Sequence, residues 1–140
     1  MPKLRCPSDD VCEAALASMW LSVDSEYVLS HREAANWSSR SIEASKRYSA
    51  DAQRRARPIL KWIRCRCQQG GVSHHVAAVH LIDHSRKPPE VVPYLLVDIQ
   101  HPKALWFTAQ VKCYGSKSFA VVRDQITKAI DACLAVAEKK

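Results

Sequence analysis

The run VVPYLLVDI, residues 91–99, is the most informative stretch of this chain. A half-buried strand alternates apolar and polar side chains, whereas this run is apolar almost throughout, and Asp98 is its one charged residue. Such a run is typical of a strand that is buried on both faces, as in the centre of a sheet with helices packed against it. The run therefore predicts an α/β domain built around this strand.

Towards the C-terminus the sequence predicts two further strands and a helix. Residues 105–113 form the next strand, and a turn at 114–117 leads into another strand at 118–122. Asp124 can cap a final helix, because apolar residues follow it at spacings of three and four. These residues are Ile126, Ala129, Ile130, Cys133, Leu134 and Ala137.

Towards the N-terminus the run ILKWIRC, residues 59–65, predicts the first strand, which ends before the Gly-Gly pair at 70–71. Ser73 is a suitable N-cap for a helix that extends to Asp83. The domain at 58–140 then has the element order β-α-β-β-β-α. This is the thioredoxin-like arrangement, an α/β fold with a four-stranded mixed sheet whose first two strands are parallel.

Residues 1–57 predict an N-terminal helical extension to this domain, and they contain no glycine. One helix covers residues 11–21. A second begins near Ser30 and Glu33, which match a capping box, and Pro58 should end it. The apolar stripe of the second helix is narrow, so we expect it to pack on a partner or across the main domain.

Four segments of the chain resemble a domain shared by a small accessory subunit of respiratory complex I and certain mitochondrial ribosomal proteins. The segments are Leu60–Arg64 with Cys67 and Gln68, Ser73 with the residues after it, 92–96 with 101–106, and 124–130. The resemblance implies a thioredoxin-like fold without catalytic residues, metal ion or cofactor.

By the same resemblance, the expected function is that of a non-catalytic structural subunit of complex I, on the matrix side of the mitochondrial inner membrane. Its partners would be the other subunits of that assembly. The alternative is a mitochondrial ribosomal protein that binds ribosomal RNA and neighbouring proteins, and the Gly-Gly pair at 70–71 favours it. The cysteine pairing of the complex I subunit is not available to Cys67, because Ile99 stands at the second position, unless Cys113 replaces it.

The chain is basic, with 21 Lys and Arg against 14 Asp and Glu, a net charge of +7 and a pI near 9.3. Arginines close to an aromatic residue suit phosphate contacts and stacking, and Trp62 lies inside a dense basic stretch. We therefore expect this stretch to contact an anionic partner, whether ribosomal RNA, a phospholipid or an acidic subunit. Its cations are Arg54, Arg55, Arg57, Lys61, Arg64 and Arg66. No apolar run approaches the ~20 residues of a membrane-spanning helix.

Asp98 and the later residues Gln110 and Lys112 indicate a third, catalytic hypothesis. Gln110-Val111-Lys112 lies in the strand after Asp98 and precedes a helix, which resembles the Asp…(Glu/Gln)-x-Lys arrangement of restriction-type nucleases. The resemblance implies an acidic residue that binds Mg²⁺ and a lysine that stabilises charge on a phosphate. Glutamine is a poorer ligand than glutamate, and alternation places Gln-x-Lys on the polar face of any half-buried strand. We therefore rank this metal-dependent nuclease below the two structural roles.

The six cysteines have irregular spacings and no secretory signal precedes them, so we expect reduced, mostly buried thiols. Cys65 and Cys67 are separated by one residue, whereas thioredoxin-like redox centres need two. His80 and His84 could share a face of the predicted helix, but no cysteine or carboxylate pair has zinc-ligand spacing around them. We expect neither redox catalysis nor a metal site from these residues.

Overall fold

The computed structural model describes residues 5–21, 29–30 and 50–139, and the prediction of a mixed α/β fold is confirmed. Its helices are α1 (Asp9–Leu21), α2 (Ala50–Arg55), α3 (Arg57–Gly70) and α4 (Phe119–Glu138). Its strands are β1 (Leu29–Ser30), β2 (Ser73–Asp83), β3 (Glu90–Gln100) and β4 (Ala109–Tyr114). Most of the predicted second helix lies outside the described residues, and α2 corresponds to its last part.

The sheet is an antiparallel meander of β2, β3 and β4, with the predicted buried run 91–99 in its central strand. β2 and β3 pair along their whole length of eleven residues, from Ser73 opposite Gln100 to Asp83 opposite Glu90. β1 adds a parallel contact of two residues at Leu81 and Ile82. The thioredoxin-like strand arrangement is therefore not confirmed.

The predicted first strand at 59–65 is wrong, because these residues lie in α3. The buried residues Ile59, Trp62, Ile63 and Cys67 follow spacings of three and four, so their apolar pattern has the period of a helix. Pro58 does not end a helix but lies in the first turn of α3, where its missing N–H costs nothing. Gly71 ends α3 in the left-handed region at φ 68°, and its N–H donates to the carbonyl oxygens of Cys67 and Gln68.

Two further assignments of the sequence are wrong, and the strand predicted at 105–113 is β4, which begins only at Ala109. The helix predicted to start at Ser73 is strand β2, whose residues 76–81 are buried on both faces of the sheet. The strand predicted at 118–122 is the first turn of α4, which begins at Phe119. The final helix is confirmed, although it starts five residues before Asp124.

The two faces of the sheet carry separate apolar clusters. Val76, Val97 and Val111 point towards the helices and pack with residues of α1, α3 and α4. The opposite face holds a smaller cluster of Ala77, Val79, Leu81, Val92, Tyr94 and Leu96. The sheet is thus buried on both sides, which explains the nearly unbroken apolar run of β3.

Helix α1 contributes to the larger cluster. Cys12, Leu16 and Met19 are at most 2% exposed, and they belong to the same cluster as Ile59 and Ile63. Glu13 accepts a hydrogen bond from the N–H of Phe119 at 2.6 Å. Helix α1 thus supplies an acceptor for an N–H group at the start of α4 that has no acceptor within its own helix. The domain boundary between residues 57 and 58 remains a prediction, and buried contacts cross it.

A disulfide joins Cys6, just before α1, to Cys65 in α3, with 5.5 Å between the two Cα atoms. The expectation of reduced thiols is therefore wrong for this pair. Cys12, Cys67, Cys113 and Cys133 are free and buried, as expected.

Candidate functional site

Three polar side chains form a row across the meander near one end of the sheet. Asp98 on the central strand lies directly opposite His75 on β2 and Gln110 on β4. Side chains of directly opposite residues project from the same face, with Cβ atoms about 5 Å apart. We call His75, Asp98 and Gln110 the polar row.

Lys112 extends the row on the same face. It lies two residues beyond Gln110 on β4, opposite Leu96, so it is a diagonal neighbour of Asp98 at about 7–8 Å. Its side chain is exposed, as are those of His75 and Gln110, whereas Asp98 is only 6% exposed. The row therefore has a buried carboxylate at its centre and exposed polar groups around it.

Charged side chains are rarely buried, so the surroundings of each buried one are informative. The described residues contain three buried polar or charged side chains, Asp98, Asp83 and His80. Asp83 organises the β2–β3 turn, where it accepts hydrogen bonds from Ser85 Oγ at 2.6 Å and Arg86 Nε at 3.1 Å. His80 joins β2 to α1. Asp98 differs from both in lying within a row of polar groups across three strands.

The oxygen donors of the row suit a hard divalent cation. Mg²⁺ is usually held by one or two carboxylates and keeps several waters, so the carboxylate of Asp98 and the amide oxygen of Gln110 form a suitable pair. In the described part of the chain, no group of three or more His, Cys, Asp or Glu side chains is placed to hold a metal ion. Asp98 and Gln110 therefore fit a cation that keeps much of its water shell, and not a closed metal cage.

The predicted basic stretch divides into two groups. Arg54 and Arg55 both bind the carboxylate of Asp51, and Arg55 also donates to Ser18 Oγ at 3.1 Å. Arg66 donates to the side chain of Gln69 at 3.3 Å. These three arginines are thus engaged within the protein.

The other three cations lie along one side of α3. Arg57, Lys61 and Arg64 are exposed, and they line a cleft of about 400 Å³ together with His74 of β2. None of the three forms an ion pair with another described residue. Because His74 precedes His75 of the polar row, the cleft and the row lie on opposite faces of the same part of β2. Only three of the six predicted basic residues therefore lie together at this cleft.

His80 does not belong to a metal site with His84. Its Nε2 donates to the backbone oxygen of Met19 at 2.8 Å, while His84 is exposed in the turn after β2. Burial lowers the pKa of His80, and the repulsion of Arg55 acts in the same direction, against the opposing effects of the Met19 hydrogen bond and of Asp51. His80 is thus a neutral structural contact between β2 and α1.

The free thiols are poorly suited to redox chemistry. Burial raises the pKa of Cys67 to about 11, with a further contribution from Cys133, and raises that of Cys113 to about 12. A reactive thiol needs a lowered pKa. Cys65, two residues before Cys67, is bonded to Cys6 instead.

No family model, curated protein or solved structure matches this chain. Within the described ranges, no helix combines the length and the apolar character that crossing a membrane requires. The sequence singled out Asp98 and Gln110 of the polar row, together with Lys112. His75 was missed, because only the strand register places it beside Asp98.

Proposed function

We propose that this protein is a divalent-cation-dependent hydrolase of nucleic-acid phosphodiesters, with the polar row and Lys112 as its site. The observation that carries the proposal is the register that sets Asp98 opposite Gln110, with Lys112 on the same face. Alternation along β4 alone could give Gln-x-Lys by chance. Alternation along β4 does not explain why the buried carboxylate of Asp98 lies directly opposite Gln110.

Each residue then has a distinct role. Asp98 and Gln110 would hold the cation, which when bound supplies a water of lowered pKa and neutralises charge on the phosphate. Lys112 would contact the phosphate as a point charge and stabilise its negative charge as the bond breaks. His75 can donate a hydrogen bond to a phosphate oxygen from β2. The net charge of +7 favours a polyanionic substrate.

The proposal is tested with fluorescently labelled single-stranded DNA, duplex DNA and RNA, each incubated with the full chain in Mg²⁺ or Mn²⁺. We expect cleavage that EDTA abolishes. Asp98→Asn should remove detectable cleavage, and Lys112→Met should lower the rate by roughly 100-fold, the usual effect of losing one group that stabilises transition-state charge.

Gln110→Glu is the most informative variant. Glutamate is the better ligand for a hard cation, so this variant should keep or raise the activity if Gln110 holds a metal. Lys128→Met removes an exposed lysine from α4 and serves as the matched control for Lys112→Met. Cleavage that survives Asp98→Asn and Lys112→Met at the wild-type rate would come from a contaminant and would refute the proposal.

The non-enzymatic roles remain alternative proposals that rest on the resemblance described above. A complex I accessory subunit has no additional support from the polar row or the cleft. Binding of ribosomal RNA without cleavage has the support of Arg57, Lys61 and Arg64 in the cleft. Binding of RNA by the wild-type chain, with no cleavage in any metal, would favour that second candidate. The mitochondrial location is likewise a proposal, and cell fractionation tests it.

A further inference from the structure

The loop between β3 and β4, residues 101–108, presents two large apolar side chains to solvent. Leu105 is 73% exposed and Trp106 is 67% exposed. On either side of this pair the loop turns inward, since Ala104 is fully buried and Phe107 packs against the larger apolar cluster. The exposed pair therefore projects from an anchored loop.

Hydrogen bonds hold the loop in this shape. The N–H of Ala104 donates to the oxygen of His101 at 3.0 Å, and the N–H of Phe107 donates to the oxygen of Ala104 at 2.9 Å. Gln100 donates from Nε2 to the oxygen of Leu105 at 2.5 Å. Because the backbone is already ordered, a ligand that contacts Trp106 does not have to bear the entropy cost of ordering the loop.

The loop connects the two strands that carry the proposed site. It starts three residues after Asp98 and ends two residues before Gln110. Lys103, also exposed, lies between Asp98 and Trp106 in the sequence. The loop thus carries a cation and an indole ring close in sequence to both strands of the polar row.

We propose that Trp106 stacks on an unpaired base of a single-stranded nucleic acid whose backbone lies at the polar row. The inference rests on the proposed function for the position of the backbone, and it adds the class of substrate. Bases within a duplex are stacked on their neighbours, so a protruding ring can reach a base face only where the strand is single. Lys103 and Lys112 favour this occupant over an acidic protein segment, because nucleotides supply both an anion and an aromatic face.

The test measures the binding of labelled oligothymidylate, and of a duplex of equal length, to the full chain in EDTA, where no cleavage occurs. Trp106→Ala should weaken single-strand binding by roughly 5- to 150-fold, the range of one base–aromatic stack. Trp106→Phe keeps an aromatic ring and should restore most of the affinity. Duplex binding should change by less than about twofold, because backbone contacts dominate it.

Leu21→Ala is the matched control for the loss of an exposed apolar side chain. Leu21 is 76% exposed at the end of α1, where the neighbouring Trp20 donates to the oxygen of Ser116, beyond the opposite end of β4. This variant should bind like the wild type. Equal affinity of Trp106→Ala and wild type for the single strand, or an equal loss for the duplex, would overturn the inference. So would binding to phosphatidylserine vesicles that depends on Trp106 in a chain that binds no oligonucleotide.

The two proposals fail in different ways. Single-strand binding that depends on Trp106, without cleavage in Mg²⁺ or Mn²⁺, would refute the hydrolase and support stacking. Cleavage that requires Asp98, with unchanged single-strand affinity in Trp106→Ala, would refute stacking alone.

Discussion

The disulfide between Cys6 and Cys65 should account for a large part of the stability of the chain. The two cysteines are 59 residues apart, and cross-linking limits the freedom of the unfolded chain. In the chain-entropy model a loop of this length corresponds to about 4 kcal/mol at 25 °C. That is a substantial share of the roughly 5–15 kcal/mol by which proteins are usually stable.

The perturbation is reduction by dithiothreitol, and the assay is urea denaturation followed by circular dichroism. We expect the free energy of unfolding to fall by about 4 kcal/mol. In a thermal melt, Tm should fall by about 12 °C, at ~3 °C per kcal/mol. The control is Cys6→Ser, which should match the reduced wild type and should not respond to dithiothreitol. Cys6 is the better position to change, since Cys65 is fully buried and its replacement would also disturb the core.

If reduction does not lower the stability, thiol titration of the unfolded protein without reductant shows whether the disulfide was present. Four reactive thiols are expected from the free cysteines, and six would mean that the disulfide does not form. Four thiols together with a stability change below about 1 kcal/mol would refute the entropic reasoning itself, since the constraint would then be present without its effect.

Three further predictions concern the buried groups and α1. The lowered pKa of His80 means that the unfolded chain binds a proton more readily than the folded chain, so stability should fall as the pH drops below about 6.5. Urea midpoints at pH 7.5 and 5.5 should show this loss, and His80→Gln should reduce it. Cys67 and Cys113, with pKa values raised to about 11 and 12, should stay unreactive towards Ellman's reagent at pH 8 until urea unfolds the chain. A chain that starts at Ile59 should show no sharp thermal transition, because it lacks Leu16 and Met19 of the shared cluster. Burial of each of these side chains stabilises the fold by about 1.5–3 kcal/mol. A transition like that of the full chain would support the boundary between residues 57 and 58.

The sequence predicted those elements whose pattern has a single interpretation. The run 91–99 is too continuous for a half-exposed strand, and the stripe that includes Ile126, Ile130 and Cys133 has a clear helical period. Residues 59–65 are ambiguous, because a short apolar run fits a strand or a helix and Pro58 can end one helix or begin another. Ser73 was misleading, since a serine before an apolar segment is a frequent but not a sufficient sign of a helix start.

The candidate site was predictable only to the extent that it lies along the sequence. Asp98, Gln110 and Lys112 follow a recognisable order, whereas His75 joins them through a strand pairing that no local pattern specifies. The partner of Cys65 was equally hidden, because pairings among several cysteines cannot be deduced from their spacing. The division of the basic stretch depends on Asp51 and Ser18, which bind two of its arginines from outside the run.

The full-length pairing of β2 with β3 constrains how this protein can change during evolution. Inserting or deleting one residue between the β2–β3 turn and Asp98 would move the carboxylate to the face that packs on the helices, and an apolar neighbour would take its place in the row. A change of two residues would keep every side chain on its face. The turn itself, residues 84–89, can vary in length without this effect. Among related sequences, we therefore expect insertions or deletions of an odd number of residues only in the turn. Within the strands, we expect only insertions or deletions of an even number of residues.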